Sequence, residues 1–210
     1  MKTQVIPITS PEAISTAQTI LEEGGLVAFP TDTVYGVGAQ VFNVKAVESI
    51  YAVKERPVEK AIPVLVADWK DLDLVAVDIP GMAARLAGAF WPGALTLVLP
   101  RHPDLPSIVS AGPTVGVRVP DSAFTRRLLQ ATGPLAVTSA NRSEQANPLD
   151  ASQVLAQLGG RIPLLLDGGR VPGGLPSSVV DCTGPTPRLL RQGPIPLEAI
   201  LAALEATKKF

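Results

Sequence analysis

The sequence holds one cysteine, Cys182, and one histidine, His102. A single cysteine excludes an internal disulfide and fits a reducing compartment. One histidine and one cysteine leave no basis for a zinc site built from those ligands. A Ser-His-Asp triad would have to use His102, and no G-x-S-x-G elbow occurs. Aromatic residues make up only 4% of the chain, so a core must be aliphatic. Charge of one sign is also lacking: 18 Lys and Arg against 19 Asp and Glu give a net charge of −1. That balance excludes the global basic footprint of a nucleic-acid wrapper, though not a local basic groove. No apolar run approaches the ~20 residues of a spanning helix, and the amino terminus has no leader-like segment. The expectation is a cytoplasmic protein without a membrane segment.

What the chain has in surplus is 18 glycines and 21 prolines, against a 46% hydrophobic content. This mixture points to ordered loops and tight turns around an aliphatic core. The 210 residues suit one large domain or two small ones. Short apolar runs alternate with helix-like segments. Strands are expected at Val5 to Ile8, Leu26 to Phe29, Ile62 to Ala67, Leu95 to Leu99 and Val115 to Val119. Further strands fall at Leu135 to Thr138, Leu164 to Leu166, Ser178 to Asp181 and Arg188 to Leu190. Ser10-Pro11 reads as a helix start, with Ile14, Ala17 and Leu21 on one face and Gly24-Gly25 as the stop. Asn43 should cap a helix whose apolar face is Val44, Val47, Ile50 and Tyr51. Other helices should start at Pro80, at Asp121 or Ser122, at Asp150 and at Pro196. The pattern is α/β with one core, a core region of about 10–195 and a last helix at about 196–206. Strict βαβ alternation fails near the carboxyl end, so a mixed sheet is expected.

Polar clusters follow the apolar strands, where α/β proteins commonly bind ligands. Pro30-Thr31-Asp32-Thr33-Val34-Tyr35-Gly36-Val37-Gly38 offers hydroxyls and close backbone approach, or simply a turn. Lys54-Glu55-Arg56-Pro57-Val58-Glu59-Lys60 reads as cations at a helix end or as a phosphate clamp. Thr138-Ser139-Ala140-Asn141-Arg142-Ser143 supplies small directional donors, or a solvated turn. Ser177-Ser178 precedes one late strand and Arg191-Gln192-Gly193 follows another. Arg118 stands between valines in an apolar strand, where a buried cation needs an anionic ligand or an ion pair. No Walker loop occurs, and Gly36-Val37-Gly38 is followed by Val41 where a dinucleotide fingerprint needs a third glycine. Residue types alone therefore stop at an α/β protein with an anion-binding cleft.

The ordered set goes further. Pro30-Thr-Asp-Thr-Val-Tyr-Gly, Lys54-x-Arg56-Pro57, Trp91-Pro92-Gly93-x-Leu95-Thr96, Val117-Arg118-Val119-Pro120 and Thr138-Ser139-Ala140-Asn141 occur in this order. With them the chain resembles the YrdC/TsaC family, the threonylcarbamoyl-AMP synthases, from about Ser10 to Ile195. The resemblance implies a single YrdC-like domain over 1–210: a twisted mixed sheet flanked by helices, with a large positively lined cleft. It implies the reaction of L-threonine, bicarbonate and ATP to threonylcarbamoyl-AMP and pyrophosphate. The product then serves threonylcarbamoyladenosine formation on tRNA by a downstream transferase complex. Lys54, Arg56, Ser139 and Asn141 are implied as catalytic. Lys54, Arg56, Lys60, Ser139, Asn141 and Arg191 are implied as ATP contacts, with Thr114 and Pro148 beside the nucleotide. Thr33, Arg118, Thr138 and Ser177 are implied as threonine contacts. Mg²⁺ is expected on the ATP phosphates, with no protein metal site and no organic cofactor. Weak direct tRNA binding is left open.

The chemistry suits these residue types. A carbamate formed on the threonine amine attacks the α-phosphorus, which asks the protein for positioning and charge stabilisation rather than a covalent nucleophile. Leu65 stands where many relatives carry His, leaving open a threonine or water contact from that place. The chain ends soon after Ile195, the pattern of the single-domain type. The Ser139-x-Asn141 pair favours the synthase over a paralogous branch. The competing readings are a non-catalytic RNA-binding module, weakened by few aromatics and near-zero charge, and a related carbamoyl-adenylating domain.

Overall fold

Alternation along the central strands divides their side chains between two cores. Val27 and Phe29 enter one apolar cluster while Ala28 enters the other. Leu164 and Leu166 oppose Leu165, and Leu135 and Val137 oppose Ala136, in the same way. The computed structural model describes residues 2–206 and shows the sheet that this pattern requires. Its strands are β1 (Gln4–Pro7), β2 (Val27–Phe29), β3 (Gly36–Gln40), β4 (Val64–Leu65) and β5 (Leu95–Pro100). They continue as β6 (Thr114–Arg118), β7 (Leu135–Ser139), β8 (Leu164–Asp167), β9 (Ser178–Asp181) and β10 (Arg188–Arg191). The spatial order is β1-β8-β2-β3-β7-β4-β6-β5-β9-β10. Parallel pairs (β1 with β8, β4 with β6, β5 with β9) mix with antiparallel ones (β2 with β3, β3 with β7, β5 with β6), as the broken alternation predicted.

Among the described residues the helices are α1 (Ala13–Glu22), α2 (Val44–Lys54), α3 (Gly81–Phe90), α4 (Ala123–Thr132), α5 (Ala151–Leu158) and α6 (Leu197–Ala206). α1 and α4 pack together over one face, burying Ala17, Leu21, Leu128 and Leu129 with Phe29 and Leu164. α2, α3, α5 and α6 contribute to the larger core on the other face, through Ile50, Leu86, Val154 and Ile200. Three N-caps match the sequence: Asn43, Ser122 and Asp150 each accept a backbone N–H of the first turn.

Three expectations need correction. Ser10-Pro11 lies in a turn, and α1 starts two residues later without a side-chain cap. Val44 is exposed at the first position of α2, whose buried face is Val47, Ile50, Tyr51 and Lys54. The Pro30–Gly38 segment ends in a central strand, β3, rather than in loop. Gly36 and Gly38 lower strand propensity but are needed there: a Cβ on Gly36 would lie 2.8 Å from Cγ1 of Val137 on β7. A 3₁₀ turn at Trp69–Leu74, capped by Asp68, also escaped the periodicity.

Candidate active site

The two helices of the smaller core cover only part of their face. Over β6, β5 and β9 the same face is open, and it forms the floor of a cleft of about 470 Å³ lined entirely from strands and loops. On β6, Val115 and Val117 point to the larger core while Thr114, Gly116 and Arg118 line the cleft. On β5, Leu95, Leu97 and Leu99 are core while Thr96 and Val98 line it.

At one end, Arg118 is fully engaged on one side. Its Nε donates to the Gly93 carbonyl at 2.8 Å and Nη1 to the Thr33 hydroxyl at 3.0 Å, while Nη2 pairs with Asp32. The sequence left Arg118 between an anion site and an ion pair; the structure shows the pair and also sets Arg118 in the cleft wall. The local fold explains this. Thr31 accepts the N–H of Thr33 and donates to the Val34 carbonyl at 2.6 Å, which closes the turn after β2 and aims Thr33 at Arg118. The Trp91-Pro92 bond is cis, and Gly93 donates its N–H to the Val119 carbonyl beside it. Thr138 and Ser139 line the cleft at the end of β7.

Farther along, the Ser177 hydroxyl meets the Thr96 hydroxyl at 2.7 Å. Arg191, at the end of β10, donates to the Ser177 carbonyl from Nε and Nη2, at 3.0 and 2.8 Å. Arg56 donates to the carbonyls of Lys60 and Ala61, shaping the loop that forms the opposite rim. Tyr51 anchors the same loop by donating to the Lys60 carbonyl at 3.2 Å. Burial lowers the basicity of Arg191, and the charges of Arg118 and Arg56 lower it further. Three guanidinium groups thus share one cleft closely enough to repel one another, with Asp32 opposing Arg118 alone.

Eight of the expected site residues line this cleft: Thr33, Arg56, Thr114, Arg118, Thr138, Ser139, Ser177 and Arg191. Leu65 lines it too, paired in register with Arg118. Four lie outside its lining. Lys54 is buried beneath the turn that follows β7. Asn141 points away, donating to the carbonyls of Arg142 and Gln145. Lys60 lies on the outer rim with its ammonium 3.7 Å from Glu144. Pro148 accepts the Tyr35 N–H through its carbonyl, and its neighbour Asn147 reaches the cleft instead. Sequence reasoning gave no role to Thr96 or to Asp32 as the partner of Arg118. The signals were there: a hydroxyl alternating with leucines on β5, and an acid within the polar turn after β2.

The fold and cleft define an α/β protein with an arginine- and hydroxyl-lined cleft on an open sheet face. A family model described as telomere recombination, spanning Sua5, YciO and YrdC, matches residues 19–193. The chain belongs to this family. A Pyrococcus abyssi threonylcarbamoyl-AMP synthase is 40% identical over 189 residues, covering 89% of this chain and 56% of that protein. The chain therefore spans about half the length of that relative. A Mycobacterium tuberculosis relative is 39% identical over 207 residues, covering 96% of this chain and 95% of its own length. The crystal structure of P. abyssi Sua5 complexed with L-threonine superposes with a TM-score of 0.88 at 39% identity, over 91% of this chain and 57% of that one.

Proposed function

We propose that the cleft binds MgATP and L-threonine and forms L-threonylcarbamoyl-AMP from them and bicarbonate-derived carbon dioxide, releasing pyrophosphate. The observation that carries this reading is the convergence of Arg56, Arg118 and Arg191 with the hydroxyls of Thr33, Thr138, Ser139 and Ser177 on one open face. The similarity to a threonylcarbamoyl-AMP synthase and to a threonine-bound Sua5 supports it.

In this reading Arg118 receives the threonine carboxylate. A guanidinium has five N–H groups, and three are taken by Gly93, Thr33 and Asp32. One remains on each terminal nitrogen for a bidentate carboxylate. Thr138 and Ser177 complete that end. Arg56 and Arg191 face the phosphates, with Thr114 and Ser139 beside the nucleotide. The threonine amine adds to carbon dioxide and gives up a proton to become a carbamate. A carbamate oxygen then attacks the α-phosphorus as the bond to pyrophosphate breaks. Little covalent chemistry falls to the protein; it aligns the reactants and balances the growing charge on pyrophosphate. Mg²⁺ enters as part of the nucleotide substrate. The product serves a downstream tRNA threonylcarbamoyl transferase complex in the cytoplasm. No helix among the described residues is long and apolar enough to cross a membrane.

The decisive experiment measures pyrophosphate release from ATP and bicarbonate with and without L-threonine. Threonine-dependent release is expected. Release that ignores threonine, or none with all three substrates, would overturn the reading.

A further inference from the structure

Lys54 stands in a family-like Lys-x-Arg segment, yet it does not reach the cleft. It extends the buried face of α2, three residues beyond Tyr51, and is 1% exposed. Glu55 then turns left-handed at φ 54°, which sends Arg56 toward the cleft and leaves Lys54 behind. The Lys54 amine donates to the Ser139 carbonyl at 2.5 Å and to the Asn141 carbonyl. In return, the Lys54 carbonyl accepts the Ser143 N–H at 2.8 Å. Glu55 adds an outer tie, 2.5 Å from Arg142. The end of α2 is thereby tied to the last residue of β7 and to the turn after it, at Ser139, Asn141, Arg142 and Ser143. Among the described residues no carboxylate pairs with the Lys54 amine, so two neutral carbonyls supply its partners.

We propose that Lys54 is a positioning residue and not a phosphate ligand: its amine fixes the carbonyls of Ser139 and Asn141 and so holds the Ser139 side chain against the cleft. The bonding pattern carries this inference. The amine donates to backbone acceptors at the end of β7 and on the turn after it, and that turn returns an N–H to the same residue. Removing the amine strands both carbonyls and frees the end of β7 and the turn after it. Assigning this end of β7 to the nucleotide rests on the function proposed above. The tie between α2 and the turn does not.

The test compares the wild type with Lys54→Met and Lys54→Gln. Amide hydrogen exchange is measured over residues 139–143, and ATP and AMP binding are measured by calorimetry. Lys54→Met should speed exchange across the turn by about tenfold or more. It should weaken ATP and AMP by the same factor, leaving their ratio at the wild-type value. Lys54→Gln keeps a neutral N–H donor and should recover part of both effects. A phosphate ligand behaves differently: both variants would lose ATP far more than AMP, and a neutral amide would rescue nothing. That outcome, or an unchanged exchange rate in the turn, overturns the proposal. If Lys54→Met does not fold, the same exchange measurement and ATP-to-AMP ratio are read on Lys54→Gln. If the wild type binds no ATP, the functional reading fails, and the exchange measurement still decides whether Lys54 holds the turn.

Discussion

Arg118 and Asp32 show what a single buried pair asks of a site. Their side chains are 7% and 14% exposed, and burial alone would disfavour the cation. The pair works because Thr33 and Gly93 satisfy the rest of the guanidinium edge. Asp32→Ala leaves that cation without its counter-charge and should cost about 3–5 kcal/mol in urea unfolding. A loss under about 1 kcal/mol would mean that cleft water already solvates Arg118. Lys54 poses the opposite problem, a buried amine without a carboxylate. Burial, aided by the charge of Arg56, pushes its pKa down to about 7, against about 10.4 in an unfolded chain. Between these values the unfolded chain holds a proton that the folded one has released, so this residue makes stability rise with pH. Unfolding free energy measured from pH 7 to 9 should climb less steeply in Lys54→Met than in the wild type, by at most about 1.4 kcal/mol per pH unit. Parallel pH curves for the two proteins would show that Lys54 ionises normally. At this scale the sequence pointed to the right neighbourhood more often than to the right atom. Arg118 stood out because valines flank it. Lys54 and Arg56 looked equivalent, because a left-handed Glu55 that separates them has no signature in residue type.

The elements were legible where periodicity and caps agree. α2, α4 and α5 begin at their polar caps, and β5 through β9 follow the apolar runs. β3 was hidden because its glycines serve a neighbour, Val137, rather than their own strand. The proline- and glycine-rich segment after β8 shows the same dependence on tertiary contact. There Gly173 approaches the Thr33 backbone so closely that an added Cβ would lie 2.6 Å from the Thr33 Cα. Backbone cannot yield as the end of a side chain can, so Gly173→Ala must push this segment off the turn that aims Thr33 at Arg118. The expected result is a rise of about tenfold in the threonine KM with ATP binding near normal, a loss of about 1.4 kcal/mol in substrate positioning. Equal damage to both substrates would mean that the segment supports the whole cleft rather than its threonine end. The physical reason this contact was unreadable is its range: 140 residues separate the partners, and neither carries a charge or an apolar side chain to mark it.

At the scale of the molecule, the cleft exists because α1 and α4 cover one half of a sheet face and leave the rest to loops. The strand pattern implied a mixed sheet, but not which half would stay open, since that depends on the order in which ten strands assemble. Charge follows the same division. The chain is nearly neutral overall, yet Arg56, Arg118 and Arg191 gather in one concavity while acids such as Glu55, Asp150 and Asp181 pair with other arginines outside it. A net charge of −1 therefore conceals a local concentration of positive charge, whose field would attract phosphate in the function proposed above. Such a field acts through open solvent and is screened when the Debye length falls from about 10 Å at 0.1 M salt to about 3 Å at 1 M. Raising sodium chloride from about 0.05 to 0.5 M should weaken ATP binding by about tenfold, while L-threonine, a zwitterion without net charge, should shift by less than about twofold. Arg191→Ala should bind ATP less tightly at low salt and should also lose part of this salt dependence, because fewer charges remain to be screened. Calorimetric titration of the two ligands across the salt series separates the contributions. If ATP and threonine weaken in parallel, Arg56 and Arg191 do not form the phosphate end of the cleft, and the polyanion must bind through another face.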